Sequence, residues 1–281
     1  MLGALIIVFR EVIEAGLIIG IVLAVTRGVA GRGRWVTAGV LAGALGAALI
    51  AVFAETIANA FAGSGQELFN ASVLGIAVAM LMWHNLWMAG HGQEMATSMA
   101  AVGKEVTAGQ RPLAALALVV GLASLREGSE VVLFLYGIVA SGVSAWSLLL
   151  GGMLGLLAGA AFTTLTYFGL LAIPARHIFV VTTVLISLLA AGMAAQAVQF
   201  LDAAGLIDVL GRRLWDSSGW LPQDSIVGRL LHTLIGYTDR PTELQLIAYL
   251  ATLTTMTLLT WLSGSRRQPT EGRRQGVHRL T

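Results

Sequence analysis

Two groups of ionisable residues interrupt otherwise apolar stretches of this sequence. The first group is Arg10, Glu11 and Glu14 in VFREVIEAGLII, and the second is Arg126, Glu127 and Glu130 in SLREGSEVVLFL. Both follow the pattern Arg-Glu-x-x-Glu-x-x-Leu. Residues three or four positions apart share one face of a helix, so each group presents two carboxylates beside one guanidinium. Carboxylate oxygens bind hard cations and also carry protons, so the pattern indicates a cation site or a proton pathway.

The composition places these groups in a membrane protein. Of the 281 residues, 57% are hydrophobic and 11% are charged, whereas soluble domains carry about 25% charged residues. Cysteine is absent, which excludes disulfide frameworks, thiolate metal sites and cysteine nucleophiles. The sequence also lacks a zinc-protease motif, a nucleophile elbow and a phosphate-binding loop. We therefore predict a protein that is not an enzyme and holds no permanently bound cofactor.

Seven stretches are long and apolar enough to span a bilayer, which takes roughly 20 residues per helix. They cover about residues 2–26, 35–60, 67–90, 112–140, 145–172, 177–200 and 243–263. A polar connection is predicted at 91–111. In the longer segment 201–242, apolar residues at helical intervals in VGRLLHTLIGY (227–237) predict an amphipathic helix on the outer face. The acids of that segment could attract cations, but we favour the interpretation that they are solvated loop residues.

Arginine and lysine are unevenly distributed between the two sides of the predicted membrane domain. Eleven lie in the connections at 27–34, 91–111 and 173–177 and in the tail at 264–281, against four in the segment 201–242. Basic connections stay in the cytoplasm, so the amino terminus is predicted outside and the carboxyl terminus inside. The basic tail is interpreted as a cytoplasmic anchor at the lipid surface rather than a nucleic-acid-binding segment.

Each charged motif lies in the first helix of a group of three. Repeat 1 covers about residues 1–90 and repeat 2 about 112–200, followed by the seventh helix and the tail within a single transmembrane domain. Because three is odd, the second group enters the membrane from the opposite face. We therefore predict an all-α protein with a 3+3 inverted repeat plus one helix, and such repeats form their binding site near the midplane.

The charge balance within the motifs leaves three interpretations. An ionised residue at the centre of a membrane helix costs about 2.5–3.5 kcal/mol, so these six residues must face each other or water. Four carboxylates meet two guanidinium groups, and a metal cation or a bound proton could balance the excess negative charge. The third interpretation is a salt-bridge clamp between the repeats, although buried ion pairs often stabilise no better than apolar packing. We favour the metal cation.

The paired Arg-Glu-x-x-Glu motifs in the first and fourth of seven helices resemble the high-affinity iron permeases of fungi and bacteria, the oxidase-dependent iron transporter family. MWHNLWMAGHGQEM (82–95) and LPQDSIVGRLLHTLIGYTDRPT (221–242) resemble its bacterial branch. The family's usual motif is Arg-Glu-Gly-Leu-Glu. Here Val12-Ile13 and Gly128-Ser129 replace the middle pair, which affects helix packing more than ligation.

The resemblance implies iron uptake across the cytoplasmic, inner membrane of a bacterium, with Glu11, Glu14, Glu127 and Glu130 as the metal ligands. Arg10 and Arg126 would then support and orient those carboxylates. It also implies a periplasmic iron-binding or ferroxidase partner. Some relatives are associated with lead, so an alternative is a proton-coupled carrier or proton channel for another cation, with the glutamates as proton relays.

Two further residues are candidates for the transport pathway. Glu55, near the outer end of the second apolar stretch, fits either an entry vestibule or the membrane interface. His84 falls near the inner end of the third stretch, seven residues before His91. The two histidines could form an exit-side ligand pair. We favour an interfacial histidine instead, because Trp83 and Trp87 flank it and tryptophan marks membrane boundaries.

Overall fold

The computed structural model describes residues 1–60, 66–169, 175–207 and 209–265. These residues form eight helices, which are α1 (Leu2–Val25), α2 (Arg32–Ala60), α3 (Gln66–Thr107), α4 (Ala114–Ala140), α5 (Ala145–Tyr167), α6 (Ala175–Ala203), α7 (Ile226–Ile235) and α8 (Glu243–Ser265). Within the described ranges, β-structure is limited to one isolated antiparallel bridge between Arg213 and Thr242. The protein is therefore nearly all helical.

Five helices are long and apolar enough to cross a membrane, over residues 32–56, 66–87, 145–167, 179–203 and 243–262. Their outward surfaces carry large exposed apolar side chains, such as Leu45 and Phe53 on α2 and Leu157 on α5. These surfaces suit contact with lipid. The other two long helices, α1 and α4, have 24 and 27 residues, and each contains three charged motif residues.

The prediction of a polar connection over 91–111 was wrong, because α3 continues as a helix to Thr107. At 1.5 Å per residue its 42 residues extend about 63 Å, roughly twice the thickness of a bilayer core. Packing explains the extension. Val106 is buried in a second apolar cluster with Val22 and Leu116, and the Thr107 hydroxyl donates to the Val25 carbonyl at 3.2 Å.

Helices of the two halves pack crosswise. The most extensive contacts join α1 to α5, α2 to α4, and α3 to α6, while α8 packs against α6 and α3. The main apolar core lies where α1, α3, α4, α6 and α8 meet. Its most deeply buried members include Ile7, Leu74, Leu81, Phe134 and Ile186.

Glycines allow the crosswise pairs to approach closely. A Cβ at Gly155 on α5 would lie 2.6 Å from the Leu5 carbonyl oxygen of α1. On the other side, a Cβ at Gly43 on α2 would lie 2.7 Å from the Gly121 carbonyl oxygen of α4. Neither position could hold a larger side chain without separating its helix pair, as in other membrane helix contacts built on small residues.

The amphipathic helix predicted in 227–237 is present as α7. Ser225 caps its amino terminus by accepting a hydrogen bond from the Gly228 N–H at 2.9 Å. Gly236 ends it in the left-handed conformation, with φ of 68°, a geometry that favours glycine. α7 packs against α6 and α1, and His232 contacts the Gln196 side chain on α6 at 2.5 Å.

Some predictions fall outside the described residues. These are the first part of the connection at 173–177 and the tail from residue 266 onward. The side chain of His91 is also outside the described part of the chain.

Candidate metal site

The two charged motifs meet in the interior of the helix bundle. Glu11, Glu14 and Glu127 are buried, and the side chain of Glu130 is 13% exposed. Carboxylate oxygens of Glu11, Glu127 and Glu130 all lie within 4.8 Å of one another. The structure therefore brings together all four glutamates that the spacing singled out, from α1 and α4.

Each arginine pairs with the glutamate one turn further along its own helix. Arg10 Nη2 lies 3.0 Å from Glu14 Oε1, and Arg126 Nε lies 3.2 Å from Glu130 Oε1. Arg10 also donates to Glu11 Oε1 from Nη1 at 3.2 Å. In both motifs one guanidinium thus holds a carboxylate in place along its helix, as the i,i+4 spacing predicts.

The surroundings of the two arginines differ. Arg10 is 3% exposed, whereas the Arg126 side chain is 33% exposed. The guanidinium carbon of Arg126 lies 3.9 Å from the centre of the Trp87 ring, a cation–π contact that stabilises a partly solvated charge. The two motifs therefore have the same internal arginine–glutamate pairing, but the second motif is more exposed to solvent than the first.

His84 lies at the centre of the cluster, between the two motifs. Its Nε2 is 3.4 Å from Glu14 Oε2 and 3.8 Å from Glu11 Oε2, and its Nδ1 contacts Glu130 Oε2. The interpretation of His84 as an interfacial residue was wrong, because its side chain is 3% exposed and faces the motif carboxylates inside the bundle. Its predicted place near the end of the apolar span was correct, since that span ends at Trp87 while the helix itself continues to Thr107. The neighbouring Trp83 points outward and is 69% exposed.

Glu55 does not join the cluster. It is exposed on α2, one turn beyond Ala51, whose carbonyl accepts a hydrogen bond from the Tyr136 hydroxyl. The structure therefore gives this acid no contact with the four clustered glutamates.

Several buried polar atoms of the cluster lack a hydrogen-bond partner in the part of the chain that the structure describes. They include both carboxylate oxygens of Glu127, Glu11 Oε2, and both amide atoms of Asn85. More than nine in ten buried polar groups in proteins are hydrogen-bonded. Unpaired oxygens converging on one point are therefore what a site for a cation or water would present.

Sequence reasoning missed Asn85. This residue is 4% exposed and lines a cavity of about 580 Å³ together with Arg10, Glu14 and Glu127. The one indication in the sequence was the position of Asn85 beside His84 within an apolar stretch. A single polar residue forms no repeating pattern along a helix, so its spacing could not show which way the side chain faces.

Two other cavities reach the same cluster. One, of about 690 Å³, lies among α1, α2, α4 and α5 and is lined by Glu11 and Glu127 beneath mostly apolar side chains. The other, of about 730 Å³, lies between α3 and α4 and is lined by His84, Arg126 and Glu130. The cluster is thus buried within the protein but borders open space on several sides.

Two acids of the segment 201–242, Asp216 and Asp239, have partners of their own. Asp216 accepts hydrogen bonds from the Ser218 hydroxyl and N–H, and its Oδ2 lies 3.1 Å from Arg240 Nε. The Ser218 hydrogen bonds, with Arg240 adding to them, lower the pKa of this exposed carboxyl to about 2. Asp216 therefore behaves as a solvated turn residue.

Comparison with known proteins gives a consistent family. The model of the iron permease FTR1 family matches residues 1–263. The chain is 32% identical over 240 residues to the ferrous iron permease EfeU of Escherichia coli O6:H1 (strain CFT073). The alignment covers 84% of this chain and 86% of that protein. The EfeU proteins of Escherichia coli O157:H7 and Shigella flexneri serotype 5b are 31% and 32% identical. They cover 84% and 69% of this chain, and 86% and 83% of their own lengths. No solved structure matches the chain.

Proposed function

Because the chain belongs to the iron permease FTR1 family, we propose that it carries iron ions inward across the cytoplasmic membrane through the carboxylate cluster of α1 and α4. One observation supports this mechanism above the others. Glutamates far apart in the sequence converge in a buried cluster whose oxygens lack sufficient partners in the described protein.

The proposed membrane domain has seven spanning helices, α1 to α6 and α8. Five of them are apolar enough to span the membrane on composition alone, and α1 and α4 have sufficient length. The charged residues of α1 and α4 can lie within a bilayer because they face each other and not lipid. The distribution of basic residues supports an outer amino terminus and an inner carboxyl terminus.

Matching glycine contacts support the 3+3 inverted repeat. Gly155 faces the Leu5 carbonyl and the Phe9 N–H on α1, while Gly43 faces the Gly121 carbonyl and the Leu125 N–H on α4. Leu5 and Gly121 are separated in sequence by the same number of residues as Arg10 and Arg126, and so are Phe9 and Leu125. The two halves thus repeat the same contacts as well as the same motif.

In this mechanism the arginines adjust the affinity of the site. Four carboxylates alone would bind a multivalent cation too tightly for release, because their mutual repulsion is relieved only when the cation is present. Arg10 and Arg126 neutralise part of that charge at fixed distances along each helix. They also separate the carboxylates, so that the oxygens remain available to the ion.

Uptake of radioactive iron by cells that lack other iron importers tests this proposal. Glu14→Gln and Glu130→Gln should each abolish uptake while membrane expression remains normal, since each removes one charged oxygen ligand from the cluster. Glu55→Gln is the matched control, because it removes a glutamate from an apolar helix outside the cluster, and it should retain uptake. Normal uptake by both cluster variants would refute the carboxylate site.

The second candidate is a proton-coupled carrier or proton channel for another cation, such as lead, with the same glutamates as proton relays. The contacts of His84 with carboxylates of both motifs support a proton pathway, since chains of histidine and glutamate side chains relay protons in membrane proteins. Proton flux in metal-free proteoliposomes separates the two. Flux that is indifferent to added iron would support the proton pathway over the iron permease.

A partner that delivers iron from the periplasm, either an iron-binding protein or a ferroxidase, completes the proposal. The outer segment between α6 and α8 is the surface such a partner would meet first. Its folded turn around Ser217, whose hydroxyl contacts the Tyr237 hydroxyl at 2.6 Å, provides an ordered platform on that side.

A further inference from the structure

The clustered ligand atoms form two overlapping groups. One consists of carboxylates from Glu11, Glu127 and Glu130, and the other combines Glu11 and Glu14 with His84. In each group the ligand atoms lie within 4.8 Å of one another. Glu11 belongs to both, so the two groups are adjacent positions joined by one carboxylate.

The two groups differ in donor chemistry. Oxygen ligands alone suit hard cations such as Mg²⁺, Ca²⁺ and Mn²⁺, while an imidazole nitrogen favours Fe²⁺ and the later transition metals. Affinity for a nitrogen-containing site rises from Mn²⁺ through Fe²⁺ to Co²⁺. The imidazole of His84 is the feature that distinguishes the second group from the first.

The position of the His84 ring suits metal binding through Nε2. That atom faces Glu14 and Glu11, while Nδ1 contacts Glu130 on the opposite side of the ring. A metal-binding histidine usually donates its other ring N–H to a carboxylate, which fixes the tautomer and the orientation of the ring. Phe134 packs edge-on against the ring, with centroids 6.4 Å apart, and limits its rotation further.

We propose that His84 forms, with Glu11 and Glu14, a mixed imidazole–carboxylate cation position, and that this position selects borderline divalent transition metals over hard cations. The adjacent all-carboxylate position shares Glu11 and accepts cations with less discrimination. A cation passes between the two without leaving the Glu11 carboxylate. This inference rests on the proposed permease function, and it adds the class of cation that the site prefers.

The full-length protein in liposomes with a trapped metal-sensitive dye tests the inference. Influx of Mn²⁺, Fe²⁺ kept reduced, and Co²⁺ is compared for the wild type, His84→Asp and His84→Gln. The wild type should favour Fe²⁺ and Co²⁺ over Mn²⁺. His84→Asp replaces the nitrogen with oxygen ligands, so it should lower the Co²⁺/Mn²⁺ influx ratio by roughly tenfold while Mn²⁺ influx continues.

His232→Gln is the matched control, since it removes a histidine that contacts Gln196 outside the cluster. This variant should keep the wild-type ratio. Equal loss of all three metals in both His84 variants would show a structural role only and would overturn the inference. An unchanged Co²⁺/Mn²⁺ ratio in His84→Asp would overturn it as well.

A binding measurement separates this inference from the permease function itself. The visible absorption of Co²⁺ bound to the detergent-solubilised protein depends on the ligands and the coordination geometry of the ion. The spectrum should change between the wild type and His84→Asp, and identical spectra would refute the mixed position. Failure of the wild type to move any metal would instead refute the proposed permease function, whatever the spectra show.

Discussion

At the scale of single residues, the spacing of Arg-Glu-x-x-Glu carried most of the information about the site. It identified two arginines and four glutamates, and the structure places these glutamates in one buried cluster. His84 was misinterpreted because hydropathy marks where a helix leaves lipid and gives no information on whether a side chain faces the lipid or the interior of the bundle. Asn85 was missed because one polar side chain gives no pattern.

Asn85 provides a prediction at this scale. Asn85→Leu should reduce iron uptake by roughly tenfold, because it replaces an unpaired buried amide, which lines the 580 Å³ cavity together with Glu14 and Glu127, with an apolar side chain. Radioactive uptake at matched membrane expression measures the effect. Asn70→Leu, a partly buried asparagine near the start of the same helix, is the control and should retain uptake. Equal uptake by the two variants would argue against a role for Asn85.

At the scale of helices, the sequence predicted which segments are helical better than it predicted where each helix ends. The period of apolar residues predicted α7, and the apolar stretches located the other helices. Polar and charged residues from His91 onward suggested a loop, but the residues to Thr107 remain helical because their apolar face packs against α1 and α4. Such tertiary contacts cannot be recognised from local composition.

Close helix contact at glycine provides the second prediction. Gly155→Leu should lower the thermal stability of the purified protein, because even a Cβ there would lie 2.6 Å from a backbone oxygen of α1. Overpacking of this kind typically costs about 1–3 kcal/mol. The thermal unfolding midpoint in detergent measures it. Gly75→Leu is the matched control, since a Cβ at Gly75 meets nothing within 4 Å, and equal midpoints for the two variants would contradict the expectation.

At the scale of the whole molecule, the orientation of the chain is directly testable, because the sequence contains no cysteine. Single cysteines introduced at Asp224, in the segment 201–242 that is predicted to lie outside, and at Ala108, after α3, give unambiguous labelling sites. A membrane-impermeant thiol reagent should label Asp224→Cys in intact cells or spheroplasts and Ala108→Cys only after the membrane is opened. The reverse pattern would contradict an outer amino terminus.

The crosswise contacts also bear on the order in which the protein can be assembled during synthesis. α1 leaves the ribosome before α4 and α5, but the glycine-lined surface against which it packs belongs to α5, and Glu11 meets Glu127 and Glu130 of α4. The main packing partner of α2 is α4, which is also synthesised later. The first half of the chain therefore lacks the main packing partners of α1 and α2 until α4 and α5 have been inserted. Truncation between the halves would leave Arg10, Glu11, Glu14 and His84 together in the membrane but without the Glu127 and Glu130 carboxylates of α4, and we expect such a fragment to be degraded.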